Sequence, residues 1–308
     1  MKNFRNQMIL GITALALVGC STEDVLPENG AVEFEGELLE ERLGALVAEF
    51  VYPRSWGGEG VEVQAQFLDA RGVKVESALD ALEVWMPRRG LESGDCLRVE
   101  QERAHAGEPV ALHLLDVGPI AVESPDELLE LPPRRFPDLL SAFHGVVYGS
   151  EWSWERDVNL VEYYPGAPYR FSAPGSIHAG GFDISLTAPD PMVLVAINGE
   201  ELRGEEGLSV NSEEELELVW DTEGFGFGDG EVYLDLSAGY GARALRYQCR
   251  TDDQGAFTVP AGVLQSLSEV RSSAELSLRR VHSQEAQVEG LERVQFYFLT
   301  TDRVELRF

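Results

Sequence analysis

Apolar residues recur at every second position through most of this sequence, and a period of two commits a segment to extended strand rather than helix. Val61, Val63, Ala65 and Phe67 alternate with Glu62, Gln64 and Gln66. Phe182, Ile184 and Leu186 alternate with Asp183, Ser185 and Thr187. Leu216, Leu218 and Trp220 share a face opposite Glu215 and Glu217. Val232, Leu234 and Leu236 repeat the pattern, as do Ala274, Leu276 and Leu278. The last runs use Val294, Phe296 and Phe298, then Val304, Leu306 and Phe308. Turn-forming residues separate the runs at Asn198-Gly199, Gly228-Asp229-Gly230 and Asp252-Asp253-Gln254-Gly255. The sequence therefore predicts an all-β fold of two β-sandwich, immunoglobulin-like halves with few short helices.

Helical pattern is sparse. Leu39, Leu43, Leu46, Val47 and Phe50 fit a helical stripe, although a strand over Ala45 to Tyr52 reads equally well. Single helical turns are expected at Asp126 to Leu131 and at Phe136 to Phe143. A short helix is expected from Pro260 through Leu267, with proline at the start, where its missing N–H costs nothing.

The first twenty residues carry an export pattern. Lys2 and Arg5 form a basic head, and Met8 through Val18 is an apolar stretch too short to cross a bilayer, which takes about 20 residues. Leu17-Val18-Gly19-Cys20 resembles the lipobox of bacterial lipoproteins. That resemblance implies a diacylglycerol on the Cys20 thiol, cleavage before Cys20, and a mature N-terminus whose acyl chains anchor it to a membrane. Two or more chains give stable anchoring where one is marginal. Ser21, rather than aspartate, follows the cysteine and suggests the outer membrane. Residues 1–19 are then a signal peptide, and residues 20–30, polar and acidic, a lipidated tether reaching at most roughly 33 Å.

Charge excludes one class of partner. The chain holds 54 acidic and 24 basic residues, a net charge of −30, which repels nucleic acid phosphates. With Cys20 assigned to lipid, Cys96 and Cys249 remain, and an oxidising envelope compartment predicts a disulfide between them. The mature chain divides into a β domain over 31–124, a proline-rich and aromatic connector over 125–157, and a second β-sandwich over 158–308. A Cys96–Cys249 bond clamps these halves together and leaves open that strands from both share one sheet.

A looser pattern runs through Cys96, Leu115-Asp116-Val117-Gly118-Pro119-Ile120, Phe182 and Pro189, then Tyr247, Cys249, Asp253, Gly255, Phe257, Pro260 and Leu264. Together these residues resemble a broad group of uncharacterised lipoproteins from myxobacteria and their relatives. The resemblance covers Cys96 to Phe308 and implies fold and location, with no activity attached.

Signals for chemistry are weak. The five histidines, His105, His113, His144, His178 and His282, lack metal-ligand spacing. There is no G-x-S-x-G elbow, P-loop or G-x-G-x-x-G fingerprint. Asp221, Glu223, Asp229 and Glu231 lie in a glycine-rich loop whose hard oxygens suit calcium, although the spacing departs from an EF-hand and a flexible acidic hairpin loop is the better reading. Trp152 and Trp154, two apart, face the same way on a strand, and Tyr163 follows. Such rings form a platform for a glycan or an envelope protein, or else cover the end of a sandwich. These features predict a lipid-anchored binding or scaffolding module, with an envelope hydrolase acting on glycan or peptide as the alternative.

Overall fold

Strand-forming residues at alternating positions leave the backbone one way to satisfy its N–H and C=O groups, which is pairing between strands. The computed structural model describes residues 42–52, 60–69, 85–88, 90–99, 112–135, 143–150, 160–202, 207–222, 230–239 and 244–308. The first strands are β1 (Arg42–Val51), β2 (Gly60–Asp69), β3 (Cys96–Val99), β4 (Leu112–Leu114), β5 (Ile120–Glu123), β6 (Leu128–Leu131) and β7 (Arg134–Arg135). Next come β8 (Phe143–His144), β9 (Val146–Gly149), β10 (Val161–Glu162), β11 (Pro168–Ala173), β12 (Phe182–Thr187), β13 (Leu194–Ile197) and β14 (Glu200–Glu201). The last are β15 (Leu208–Ser209), β16 (Leu216–Trp220), β17 (Glu231–Ala238), β18 (Leu245–Asp252), β19 (Ala256–Val259), β20 (Ser273–Val288) and β21 (Leu291–Arg307). Among the described residues one helix, α1 (Ala261–Val270), follows Pro260 as expected and buries Val263, Leu264 and Leu267. No helix among the described residues is long and apolar enough to cross a membrane. The stripe at Leu43 to Phe50 is strand β1, not helix, and the turn expected at Asp126 to Leu131 is instead strand β6. In both places pairing with a neighbouring strand overrides the local helical spacing.

Thirteen strands form a main sheet whose principal order is β3-β18-β17-β20-β21-β1-β2-β4-β8. β1 lies between β2, antiparallel to it, and β21, parallel to it from Leu43↔Arg293 to Val51↔Thr301. Strands from both halves of the sequence thus share one sheet. The pairing runs across the expected division between residues 31–124 and 158–308, and all described residues fall in the unit Glu37–Phe308. The disulfide joins Cys96 on edge strand β3 to Cys249, its register partner on β18.

Two smaller sheets, β12-β11-β5-β6 and β14-β13-β16-β19, complete two hydrophobic cores. In the first, Leu46, Ala48 and Phe50 of β1 and Val294, Phe296 and Phe298 of β21 meet Val122, Phe171 and Leu186. In the second, Leu234, Leu276, Val304 and Leu306 meet Leu194, Leu218, Trp220 and Leu267. Even-numbered residues of β21 serve both cores, so both smaller sheets lie on the same face of the main sheet. The 16-residue β20 and 17-residue β21, an antiparallel pair, pass from one core into the other. Phe67 fits into the first core only because Gly44 opposes it: a Cβ at Gly44 would fall 2.5 Å from the Phe67 ring.

Between the cores runs the connection from β12 to β13, and a polar seam holds it. Arg280 of β20 donates to the carbonyls of Asp190 at 3.2 Å and Pro191 at 3.1 Å, and to that of Asp221 at 3.0 Å. It also grips Asp253 through Nε at 2.5 Å and Nη2 at 3.2 Å. Trp220 donates to the same carboxylate at 2.7 Å, Thr300 donates to the Asp190 carbonyl, and Asp302 accepts from Leu194 N–H at 2.8 Å. Arg280 and Asp253 side chains are only 8% and 9% exposed. A buried ion pair is tolerated when its hydrogen bonds are met in this way.

Candidate functional site

The other face of the main sheet is polar where sheets normally meet water. Its central strands carry Asp235 and Ser237 on β17, Ser277 and Arg279 on β20, and Thr301 and Arg303 on β21. Yet Gln248, Ser277, Arg279 and Thr301 are buried. Part of the cover comes from a segment that includes Trp85, Met86 and Leu91, which packs against Tyr233, Tyr297 and Leu299. Gln248 fixes this segment, accepting from Arg88 N–H at 2.7 Å and donating to the Met86 carbonyl at 3.3 Å. Arg250 adds a bond to the Leu91 carbonyl at 3.1 Å. The strap stays on the sheet because the backbone groups it turns inward find side-chain partners there.

Beside the strap opens a groove of about 470 Å3. Its position follows from side-chain length. Ser237 and Ser277, which share the centre of the sheet, are short, whereas Trp85, Arg246, Glu275, Arg279 and Arg303 around them are long. Such a volume lies within the usual range for small-ligand sites.

At one end of the groove Arg279 is the hub. Its Nη1 donates to Asp235, its Nε faces Glu49 at 3.5 Å without a hydrogen bond of its own, and its guanidinium carbon lies 5.5 Å from the Trp85 ring centroid. Asp235 also accepts from Trp85 Nε1 at 2.8 Å and Gln248 Nε2 at 2.9 Å. Glu49 accepts from Thr301 at 2.6 Å and from Arg303 at 3.3 Å. Burial alone would raise the Glu49 carboxyl, but the Arg279 and Arg303 charges and these hydrogen bonds hold it below the usual carboxylate range. Both carboxylates are therefore engaged acceptors.

The other end is less committed. Arg246 is half-buried, lines the groove, and makes no hydrogen bond or ion pair among the described residues. Across β17, Arg246 and Glu275 are both register partners of Ser237. Among the described residues Glu275 accepts only the Ser277 hydroxyl, at 3.3 Å. This end presents donors and acceptors side by side with spare capacity.

No protein-family model matches this chain, and no curated protein matches it.

Of the residues singled out from sequence, those that are described fall elsewhere. Tyr163 is packed into the first core, stacked on Phe50 with ring centroids 3.9 Å apart, and its hydroxyl donates to the Pro189 carbonyl. Burial and the nearby Asp190 push its phenol well above the ordinary tyrosine value. Trp152 and Trp154 lie outside the described residues, as do Cys20 and the tether. Of the candidate calcium ligands, Glu223 and Asp229 also lie outside them. Asp221 gives its carbonyl to Arg280 at the seam, while Glu231 points to the opposite face onto Arg250 and Tyr233. Among the described residues, no group of three His, Cys, Asp or Glu could hold a metal ion.

Alternation gives no sign of Asp235, Arg246 and Arg279, because a polar residue next to an apolar one on a strand reads as solvent-facing. One signal was present: Arg279-Arg280 and Thr300-Thr301-Asp302-Arg303 interrupt long strands with polar residues on both faces. A strand that goes polar on both sides in the middle of a sheet has polar partners on both sides.

Proposed function

We propose that this chain is a lipid-anchored cell-envelope protein that binds a polar ligand in the groove between Trp85 and Arg246. Support for the anchor comes from the lipobox-like Leu17-Val18-Gly19-Cys20 and the polar tether that follows it. Support for binding comes from one observation: a 470 Å3 groove on a buried sheet face whose lining offers hydrogen-bond donors and acceptors rather than an apolar floor. Hydroxyl-rich envelope glycan suits such a lining, since each hydroxyl both donates and accepts. Hydrolysis needs an acid that holds its proton at working pH. Glu49, kept low by Arg279 and Arg303, does not meet that need and is not the acid of the hydrolase reading.

Co-sedimentation of the lipidated protein, in detergent, with insoluble envelope glycan tests this. Wild type is expected in the pellet, and Ser237→Trp, which fills the groove floor, in the supernatant. Equal pelleting of both variants would remove the groove from the function. For the anchor, Cys20→Ser is expected to abolish palmitate labelling and release the chain from membranes, and continued membrane retention without label would refute it.

A further inference from the structure

Resting on that reading of the groove, we infer that its ligand carries a carboxylate and that Arg246 is the residue that receives it. The argument begins from a charge imbalance. With 54 acidic against 24 basic residues, an arginine in this chain is surrounded by an excess of carboxylates. Most arginines in the neighbourhood of the groove are accordingly paired: Arg279 with Asp235 and Glu49, Arg303 with Glu49, and Arg250 with Glu231. Arg246 makes no such pair among the described residues, although it is half-buried in the groove wall. Partial burial of a guanidinium is unfavourable unless a partner compensates it.

The groove lining does not share the acid excess of the chain. Its lining holds four arginines, Arg88, Arg246, Arg279 and Arg303, and four carboxylates, Glu49, Glu62, Asp235 and Glu275. The lining is thus locally neutral in a chain whose net charge is −30. Two of those carboxylates are already neutralised by Arg279 and Arg303. An anion approaching an acidic protein meets less repulsion at such a locally neutral lining.

Geometry supplies the rest of the recognition. Arginine offers a planar fork that matches a carboxylate with two parallel hydrogen bonds. Ser237, in register with Arg246, gives a hydroxyl on the floor, and Glu275 on the far side of Ser237 gives an acceptor. The fitted ligand is small, with a carboxylate at one end and a hydroxyl or amide N–H a few ångströms away. An acidic sugar and a peptide carboxy-terminus share that chemistry.

Calorimetric titration of the full lipidated chain in detergent, at low salt, tests the inference with four probes. These are trigalacturonate, its methyl ester, the neutral trisaccharide of N-acetylglucosamine, and a short peptide ending in D-Ala-D-Ala. Binding by trigalacturonate or by the peptide is expected, the responder identifying the source of the carboxylate. For the sugar, the ester is expected to bind at least tenfold more weakly. Arg246→Ala is expected to abolish that binding and Arg246→Lys to reduce it about tenfold, with the melting temperature unchanged because Arg246 holds no side-chain partner among the described residues. If the ester or the neutral trisaccharide binds as well as the acid, and Ser237→Trp blocks it while Arg246→Ala does not, the carboxylate inference falls and the groove reading stands. If no probe binds, or binding survives Ser237→Trp, both fall.

Discussion

Arg279 and Arg280, consecutive on β20, send their guanidinium groups to opposite faces of the main sheet. Arg279 meets Asp235 and Glu49 in the wall of the groove, and Arg280 meets Asp253 and three carbonyls in the seam between the cores. Strand geometry allows neighbouring residues no other arrangement. One dipeptide therefore fixes both the candidate site and the junction beneath it.

Loss of Arg280 exposes how much the seam carries. Arg280→Met leaves Asp253 buried without its counter-charge and strips donors from the Asp190, Pro191 and Asp221 carbonyls. Breaking a buried pair from one side costs about 3–5 kcal/mol. Urea unfolding is expected to show a loss of that size. The double variant Arg280→Met/Asp253→Leu should regain only part, because the Asp190, Pro191 and Asp221 carbonyls still lack the Arg280 donor. Full recovery would show that the carbonyl contacts contribute nothing.

Acid sensitivity follows from Glu49. Its folded carboxyl titrates below the ordinary value of 4.5, so the unfolded chain binds the proton more readily. The stability it confers is fully present above about pH 4.5 and is lost as pH falls through the lower folded value. Glu49→Gln is expected to be less stable than wild type at neutral pH and to lose less on acidification below pH about 4.5. Parallel stability curves for the two proteins down to pH about 3 would contradict this assignment.

Reduction of Cys96–Cys249 opens a loop closed across 153 positions. The chain-entropy relation sets an upper figure of about 5 kcal/mol for such a closure. A lower urea midpoint is expected for the reduced protein and for Cys96→Ser/Cys249→Ser. An unchanged midpoint would mean that the register of β3 on β18 holds without the bond.

Gly44→Val tests the packing of the first core. Even its Cβ would fall 2.5 Å from the Phe67 ring, which packs against Tyr148 and Phe182. Overpacking of this kind costs about 1–3 kcal/mol. A melting temperature within a degree of wild type would show that Phe67 has room to move.

Much of the fold was legible in the sequence because burial on one face writes itself as alternation. Val232, Leu234 and Leu236, and Val294, Phe296 and Phe298, all point into the cores as that pattern requires. Pro260 marked the helix for an equally local reason, since only a first-turn position tolerates it. The arrangement of the sheet was not legible, because no local pattern records that β1 pairs with β21 in parallel. The groove was hidden for a different reason. Asp235 and Arg279 look like solvent-facing residues until Trp85, distant in sequence, is seen lying against them.

The partnership of β1 with β21 sets a timetable for biosynthesis. A ribosome makes Leu46, Ala48 and Phe50 early, yet their neighbours Phe296 and Phe298 emerge only at the end. Until then the opening strand has one edge unmet and apolar side chains in water, a state that invites chaperones and proteases. A stop codon anywhere before Leu291 would therefore deprive the first strand as well as the last.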